Sequence, residues 1–238
     1  MRENTIEGIL PVNKPKGNTS FSLVRLLRKH LGIKKIGHAG TLDPFATGVM
    51  VMLLGRQYTR LSDSFLNEDK EYLGRVQLGA VTDTFDCEGT IIHRSNKVPE
   101  KEEIAAIANN FQGEIQQVPP MYSAKKRGGK KLYQLARLGQ TVEREPITVQ
   151  VETEVIAYAY PFIDIRVRSS KGTYIRSIAH DMGTLLGCGG HLLALTRIRS
   201  GIFHLADCLD GIRLEASNFR LTELSEKICR PNETVSSL

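Results

Sequence analysis

Two periods of hydrophobicity run through this chain. Stretches where apolar residues alternate with polar ones read as strands, and stretches where they recur every three to four residues read as helices. Residues 6–13 form a strand that enters a turn at Lys14-Pro15-Lys16-Gly17. Ser20 is placed to cap a helix over 21–31, with Val24, Leu27 and Leu31 on one face and Gly32 as the stop. Gly37 to Pro44 is glycine-rich and reads as a loop. The apolar run Val49 to Leu54 is a short buried strand ended by Gly55, and a helix covers 56–66.

In residues 70–78, Tyr72, Gly74, Val76 and Leu78 share one face of a strand. Another strand falls near 90–93. Pro99 opens a helix with acidic residues in its first turn, running to Phe111. Residues 115–118 are extended ahead of Pro119-Pro120. Tyr122 to Lys131 is basic and without a period, so it reads as a loop, and Leu132 to Leu138 forms a short helix ended by Gly139. Strands follow at 147–158 and 162–169, a helix at 173–186, a strand at 191–199 and a weak helix at 219–229. Pro231 to Leu238 reads as a frayed tail. Strands and helices mix without β-α-β alternation, which predicts an α+β fold with a mixed, largely antiparallel sheet and flanking helices.

Composition narrows the function classes. A chain of 238 residues with 41% hydrophobic positions is long enough for a substantial core. No run of eighteen apolar residues suggests a membrane span, and the first seven residues are too polar for a secretory signal. Cys87, Cys188, Cys208 and Cys229 lie far apart, as expected of reduced thiols in a cytoplasmic protein rather than a disulfide framework. Cys188 and His191 have a C-x-x-H spacing, yet no second pair completes a tetrahedral metal site. The net charge is +6. The cations gather in clusters: Lys125, Lys126, Arg127, Lys130 and Lys131; Arg25, Arg28, Lys29, Lys34 and Lys35; Arg166, Arg168, Lys171 and Arg176; and Arg197 with Arg199. Such segregation favours a basic face that follows a phosphate backbone, against the plainer reading of separate solvated surfaces.

The candidate chemistry sits in Gly37-His38-Ala39-Gly40-Thr41-Leu42-Asp43-Pro44-Phe45-Ala46-Thr47-Gly48. Glycines let a backbone approach a ligand closely, and Asp43 can act there as nucleophile or base. Asp-Pro is equally the signature of a helix N-cap and first helical residue, and taken alone these residues favour the cap. The run lacks the lysine of a phosphate-binding Walker loop and has no partner acid at glycosidase spacing.

This stretch closely resembles the catalytic motif of the TruB family of tRNA pseudouridine synthases, and the resemblance continues in order along the chain. Lys14-Pro15-Lys16-Gly17-Asn18-Thr19-Ser20 looks like that family's first motif, and Tyr72 in Asp69-Lys70-Glu71-Tyr72 like its second. Pro119-Pro120-Met121-Tyr122-Ser123-Ala124-Lys125-Lys126, Gly172-Thr173-Tyr174-Ile175-Arg176 and Gly190-His191-Leu192-Leu193-Ala194-Leu195-Thr196-Arg197 match three more. Thr196 stands where the family commonly has the first of two arginines. The resemblance implies a pseudouridine synthase core around a central sheet with an active-site cleft. Residues 1–215 are expected to form this catalytic domain. Residues 216–238 would supply a short helix and tail in place of an RNA-binding domain of PUA type.

It also implies that a uridine in the T loop of tRNA, at position 55, is flipped out, detached from C1′, rotated and rejoined through C5. No redox or phosphoryl step arises, so neither cofactor nor metal is expected. Asp43 is the implied catalytic carboxylate, Arg176 its ionic partner, and Tyr72 the ring that stacks on the flipped base. Tyr174 and Leu195 would line the uracil pocket and His38 would touch the RNA. Lys125, Lys126 and Arg127 would belong to a mobile basic loop closing on the T-arm stem-loop. Lys14 and Pro15 would support the catalytic loop. The expected partner is tRNA, with a monomeric enzyme and no obligate protein partner. A rival reading is a tRNA-binding or folding protein whose catalysis is dispensable; Asp43, Tyr72 and Arg176 together favour the enzyme. A synthase for another RNA site and a metal-dependent aspartyl phosphatase fit less well, the latter because Asp43 has no acid two residues away.

Overall fold

The computed structural model describes residues 6–230, which divide into two units: the residues up to Glu71 with those from Thr196 onward, and Tyr72–Leu195. The first unit opens with β1 (Gly8–Lys14), α1 (Ser20–Leu31), β2 (Ile36–Ala39), β3 (Thr47–Leu54), α2 (Arg56–Thr59) and α3 (Ser62–Asn67). β4 (Lys70–Leu78) carries the chain into the second unit. There follow β5 (Ala80–Thr82), β6 (Ile91–Arg94), α4 (Lys101–Ala108), β7 (Gln112–Gln117), β8 (Lys126–Arg127), β9 (Lys130–Lys131) and α5 (Leu132–Arg137). Then come β10 (Ile147–Ala159), β11 (Phe162–Ser169) and α6 (Ile175–Leu185). β12 (Gly190–Ser200) returns the chain to the first unit, which ends with β13 (Phe203–His204), β14 (Leu209–Asp210) and α7 (Leu221–Ser225). The fold is α+β with mixed sheet pairing, as the pattern predicted.

In the first unit the strand order is β14–β1–β3–β12, with β2 also on β3. β1 runs antiparallel along β3 from Gly8↔Leu54 to Lys14↔Gly48. The other edge of β3 is shared. β2 takes Val51 to Leu54 in antiparallel register, and β12 takes Thr47 and Gly48 in parallel register. The segment that leaves β2 after Ala39 therefore departs where the partner of β3 changes. Every residue from Val49 to Leu54 is almost fully buried, which explains the unbroken apolar run. Gly48 has φ +107, and a Cβ there would stand 2.2 Å from the Arg197 carbonyl oxygen. Only glycine allows β12 to approach β3 at this point.

Thr19, not Ser20, caps α1: its side chain accepts from the Ser22 amide at 3.0 Å. Ser20 is the first helical residue and is buried, with a different task described below. Gly32, at φ +66, ends the helix and donates to the Arg28 carbonyl at 3.0 Å. The buried face is Leu23, Val24 and Leu27, each contributing about 1.5–3 kcal/mol relative to exposure.

In the second unit the order is β12–β4–β11–β10–β7, with β5–β6 and β8–β9 as separate two-stranded ribbons. Tyr72, Gly74, Val76 and Leu78 share the buried face of β4 as the alternation predicted. Four local readings change. The expected loop 37–44 begins as strand, because Gly37, His38 and Ala39 pair with Leu53, Met52 and Val51. The helix expected over 56–66 breaks at Arg60 and Leu61 into α2 and α3. The helix from Pro99 to Phe111 stops at Ala108, and Asn109–Phe111 tightens to a 3-10 turn. The weak helix near 219–229 contracts to Leu221–Ser225; the tail from Pro231 to Leu238 lies outside the described residues. No described helix is long and apolar enough to cross a membrane.

Candidate active site

Asp43 lies in the bend between β2 and β3, and both of its neighbours are fixed. The buried hydroxyl of Ser20 accepts from the Leu42 amide at 3.0 Å and donates to the Leu42 carbonyl at 3.1 Å. On the other side the Pro44 carbonyl accepts from the Gly17 amide at 2.8 Å and from the Lys14 ammonium at 3.1 Å. The same ammonium, fully buried, also donates to the carbonyls of Asn18 at 2.6 Å and Pro15 at 2.9 Å. No helix follows Asp43. Its carbonyl accepts from the Ala46 amide at 3.1 Å in a tight turn, and the chain enters β3 at Thr47. The helix-cap reading of Asp-Pro is thus overturned. The Lys14 and Ser20 motif and the Asp43 motif, which lie 29 residues apart from Lys14 to Asp43, are brought into one hydrogen-bonded assembly.

A third motif joins them. Arg197 on β12 is 1% exposed. Its guanidinium donates to the Val49 carbonyl at 2.6 Å and the Gly40 carbonyl at 3.3 Å, and rests against the Met50 sulfur at 3.1 Å. Arg199 pairs with Glu71 at 3.3 Å. These two arginines are therefore structural, not the phosphate-following pair that their clustering suggested. Thr196, in place of a family arginine, shares a hydrogen bond of 2.9 Å with the Thr47 hydroxyl. His38 sits on β2 with a buried Nδ1 that has no hydrogen-bond partner. Burial first, and the charge of Arg197 second, hold its imidazole below the usual histidine range.

The second unit holds the remaining candidates. Arg176, in the first turn of α6, is 4% exposed. It donates to the carbonyls of Thr84 at 2.9 Å and Tyr122 at 2.8 Å and lies 3.4 Å from the Asp86 carboxylate. Asp86 is itself positioned by the Thr84 hydroxyl at 2.6 Å and the Glu88 amide at 3.0 Å. The Gln117 side chain clamps Tyr174, accepting from its amide at 2.7 Å and donating to its carbonyl at 3.1 Å. The Ser177 hydroxyl donates to the Val118 carbonyl at 3.2 Å. The start of α6 thus binds the segment 117–122, and two motifs far apart in sequence meet. Tyr72 on β4 and Leu195 on β12 are both buried, at 8% and 7% exposure, so each belongs to the packed core whatever further role it has.

Lys125 to Lys131 contains more order than a loop. Lys126↔Lys131 and Arg127↔Lys130 pair across β8 and β9. Gly128 and Gly129, at φ +56 and +81, make the two-residue turn. Lys125, Lys126, Arg127 and Lys130 are exposed. The third cationic cluster is balanced instead. Arg168 stands 3.4 Å from Glu152 and Arg166 4.0 Å from Glu154 across β10–β11. Cys188 and His191 do not converge on a common point: the His191 Nδ1 meets the Ala80 carbonyl at 3.0 Å, and the Cys188 sulfur lies 3.4 Å from the Gly189 carbonyl. No group of three or more possible ligands gathers among the described residues.

Ser20, Asp86, Gln117 and the inward course of Arg197 escaped the sequence reading. Ser20 and Arg197 stood inside recognised motifs. Asp86 and Gln117 act through contacts that no spacing announces.

Residues 28–175 match the family described as TruB family pseudouridylate synthase, N-terminal domain, and residues 176–234 match the tRNA pseudouridylate synthase B C-terminal domain. The protein named tRNA pseudouridine synthase B of Protochlamydia amoebophila is 60% identical over 225 residues, covering 94% of this chain and 84% of that protein. The one of Opitutus terrae is 47% identical over 213 residues, covering 89% and 88%. Among solved structures, a chain of a Cbf5-Nop10-Gar1 complex superposes with a TM-score of 0.73 at 28% identity. That match covers 97% of this chain, which spans 62% of that protein's length. A chain of an H/ACA RNP bound to a substrate RNA containing 2′-deoxyuridine gives 0.67 at 28% identity, over 94% of this chain and 59% of that one.

Proposed function

This chain belongs to the TruB family of pseudouridylate synthases, and we propose that it isomerises the uridine at position 55 in the T loop of tRNA, with Asp43 as the catalytic carboxylate. One observation carries the assignment. No helix follows Asp43, yet the residue before it is held by Ser20 and the residue after it by Lys14 and Gly17. A carboxylate fixed on both flanks is oriented before substrate arrives, and such preorganisation lowers the barrier because little rearrangement accompanies the reaction.

In the reaction the N1–C1′ bond breaks, the uracil turns, a C5–C1′ bond forms, N1 gains a proton and C5 loses one. Addition at C1′, removal of the 2′ proton to give a glycal, and addition at C6 are three routes to this result, and each uses one carboxylate. Arg176 is assigned to keep Asp43 ionised and oriented during turnover by a charge-assisted bond. Tyr72 is assigned to stack on the flipped base, with Tyr174 and Leu195 as walls of the uracil pocket. His38, whose imidazole is held below the usual histidine range by burial and by Arg197, is assigned to contact the RNA. The exposed cations of β8–β9 hold phosphates, which position an RNA without reading its sequence. Shape and splayed bases supply the choice of loop. Flipping the base costs a few kcal/mol, which these backbone contacts offset.

The test is tritium release from tRNA transcript labelled at C5 of its uridines, with wild type and Asp43→Asn in parallel. Release by wild type alone, lost when the T-loop uridine is replaced, is the expected result. Turnover by Asp43→Asn, or release that survives the replacement, overturns the role of Asp43 or the choice of site respectively.

A further inference from the structure

Between Glu7 and Asp43 the chain contains no acidic residue and seven Lys or Arg. Lys14 is buried under the catalytic loop, and the other six are exposed: Lys16, Arg25, Arg28, Lys29, Lys34 and Lys35. All lie within the first unit. Arg25 and Lys29 occupy the side of α1 opposite Leu23, Val24 and Leu27, because a four-residue step returns to one face, and Arg28 lies at the edge between the two sides. Lys34 and Lys35 fill the turn between α1 and β2, the strand that leads into the Asp43 bend. Lys16 sits at the other end, next to Gly17, whose amide is bonded to the Pro44 carbonyl.

Two of these cations have local reasons to be where they are. Arg28 donates to the Ile36 carbonyl at 3.4 Å and lies 5.9 Å from the Phe21 ring. Arg28 and Lys29 also stand in the last turn of α1, where the helix dipole favours positive charge. The side chains of Lys16, Arg25, Lys34 and Lys35 have no such reason and no ion-pair or hydrogen-bond partner among the described residues. Unpaired like charges on one surface repel one another, so a stretch of this kind is kept at a cost unless an anion shares it. The charge balance separates this surface from the β10–β11 arginines, which are neutralised by glutamates across the sheet.

We propose that the face carrying Lys16, Arg25, Lys29, Lys34 and Lys35 binds the sugar-phosphate backbone of the substrate RNA beside the target nucleotide. The inference rests on the reading of Asp43 as the catalytic carboxylate of an RNA-modifying site. The chain from Lys35 to Asp43 is eight residues, a reach of at most ~28 Å when fully extended. Lys16 is closer still through the Gly17–Pro44 bond. A strand whose target base enters at Asp43 thus passes within reach of these cations. Neutralising phosphates releases condensed counterions, so binding here carries a salt signature that an ordinary solvated helix face lacks.

The experiment measures the dissociation constant of unmodified tRNA transcript between 50 and 200 mM KCl for wild type and for the chain with Arg25, Lys29, Lys34 and Lys35 all changed to Ala. Thermal unfolding of both checks that the exposed substitutions leave the fold intact. The expected result is a binding curve weaker by about tenfold or more and a log–log salt slope reduced by about 3. The charge-preserving set Arg25→Lys, Lys29→Arg, Lys34→Arg and Lys35→Arg is expected to keep the wild-type slope. An unchanged slope in the alanine variant overturns the proposal while leaving the Asp43 assignment intact. Tritium release by wild type on the same transcript reports that assignment separately. Binding of the wild-type face to anionic lipid vesicles, with tRNA binding unaffected by the substitutions, would also overturn it.

Discussion

The Ser20 hydroxyl bonds both polar groups of the Leu42 backbone, the amide at 3.0 Å and the carbonyl at 3.1 Å. One buried side chain on α1 thereby holds the residue before Asp43. Ser20→Ala leaves both groups of Leu42 without that partner in a buried place, at a cost of about 1–3 kcal/mol. The expected kinetic result is a fall in kcat larger than any rise in KM, since the Asp43 bend loosens while the RNA-binding cations stay. Urea unfolding and single-turnover rates measure the two effects. A rise in KM alone would detach Ser20 from the chemistry.

The Arg176–Asp86 pair is buried on both sides, at 5% and 6% side-chain exposure. Asp86→Ala takes a buried carboxylate away from a buried guanidinium and is expected to destabilise by up to about 3–5 kcal/mol. Asp86→Asn retains an acceptor for the Thr84 hydroxyl and the Glu88 amide and is expected to lose less. Comparing the urea midpoints of the two variants checks the order.

Changing Lys125, Lys126 and Arg127 to Ala is expected to lower the salt slope of tRNA binding by about 3 and weaken binding to all RNA sequences alike. Gly129→Val keeps every charge but puts a branched residue at φ +81, which that residue rarely adopts. If the paired ribbon matters, this variant weakens binding without changing the slope in proportion. Equal affinity for wild type and Gly129→Val would show that charge alone suffices.

Burial pushes the Asp181 carboxyl up to about 6. The unfolded chain releases this proton near the ordinary aspartate value of 3.8, the folded one near 6. Between those values the folded state binds more protons, so the contribution of Asp181 to stability falls as pH rises through the window. Asp181→Asn removes the charge and is expected to raise the urea midpoint at pH 8 more than at pH 4. An equal gain at both values would mean that the carboxyl titrates normally.

Local order was largely legible because it depends on near neighbours. The alternation of Tyr72, Gly74, Val76 and Leu78 marked a strand face, the run from Val49 to Leu54 marked a buried strand, and Gly32 and Gly139 marked helix ends. Errors arose where a local preference met a tertiary demand. Asp43-Pro44 has the chemistry of a helix cap, but the Pro44 carbonyl is taken by Lys14 and Gly17 and the chain turns into β3 instead. Ser20 has the chemistry of a cap as well, but Thr19 reaches the Ser22 amide and frees Ser20 for Leu42.

The sequence by itself determined the elements, the order of the motifs and the family they resemble, since these reside in residue types and spacings along one dimension. Only the tertiary structure decided which charges are available. Arg197 and Arg199 look from sequence like Arg25 and Lys29, yet the first two are spent on backbone carbonyls and on Glu71 while the helical pair faces solvent. Asp86 and Gln117 became visible for the same reason. A hydrogen bond or an ion pair depends on distance in space, and folding brings Asp86 to Arg176 across 90 residues of chain.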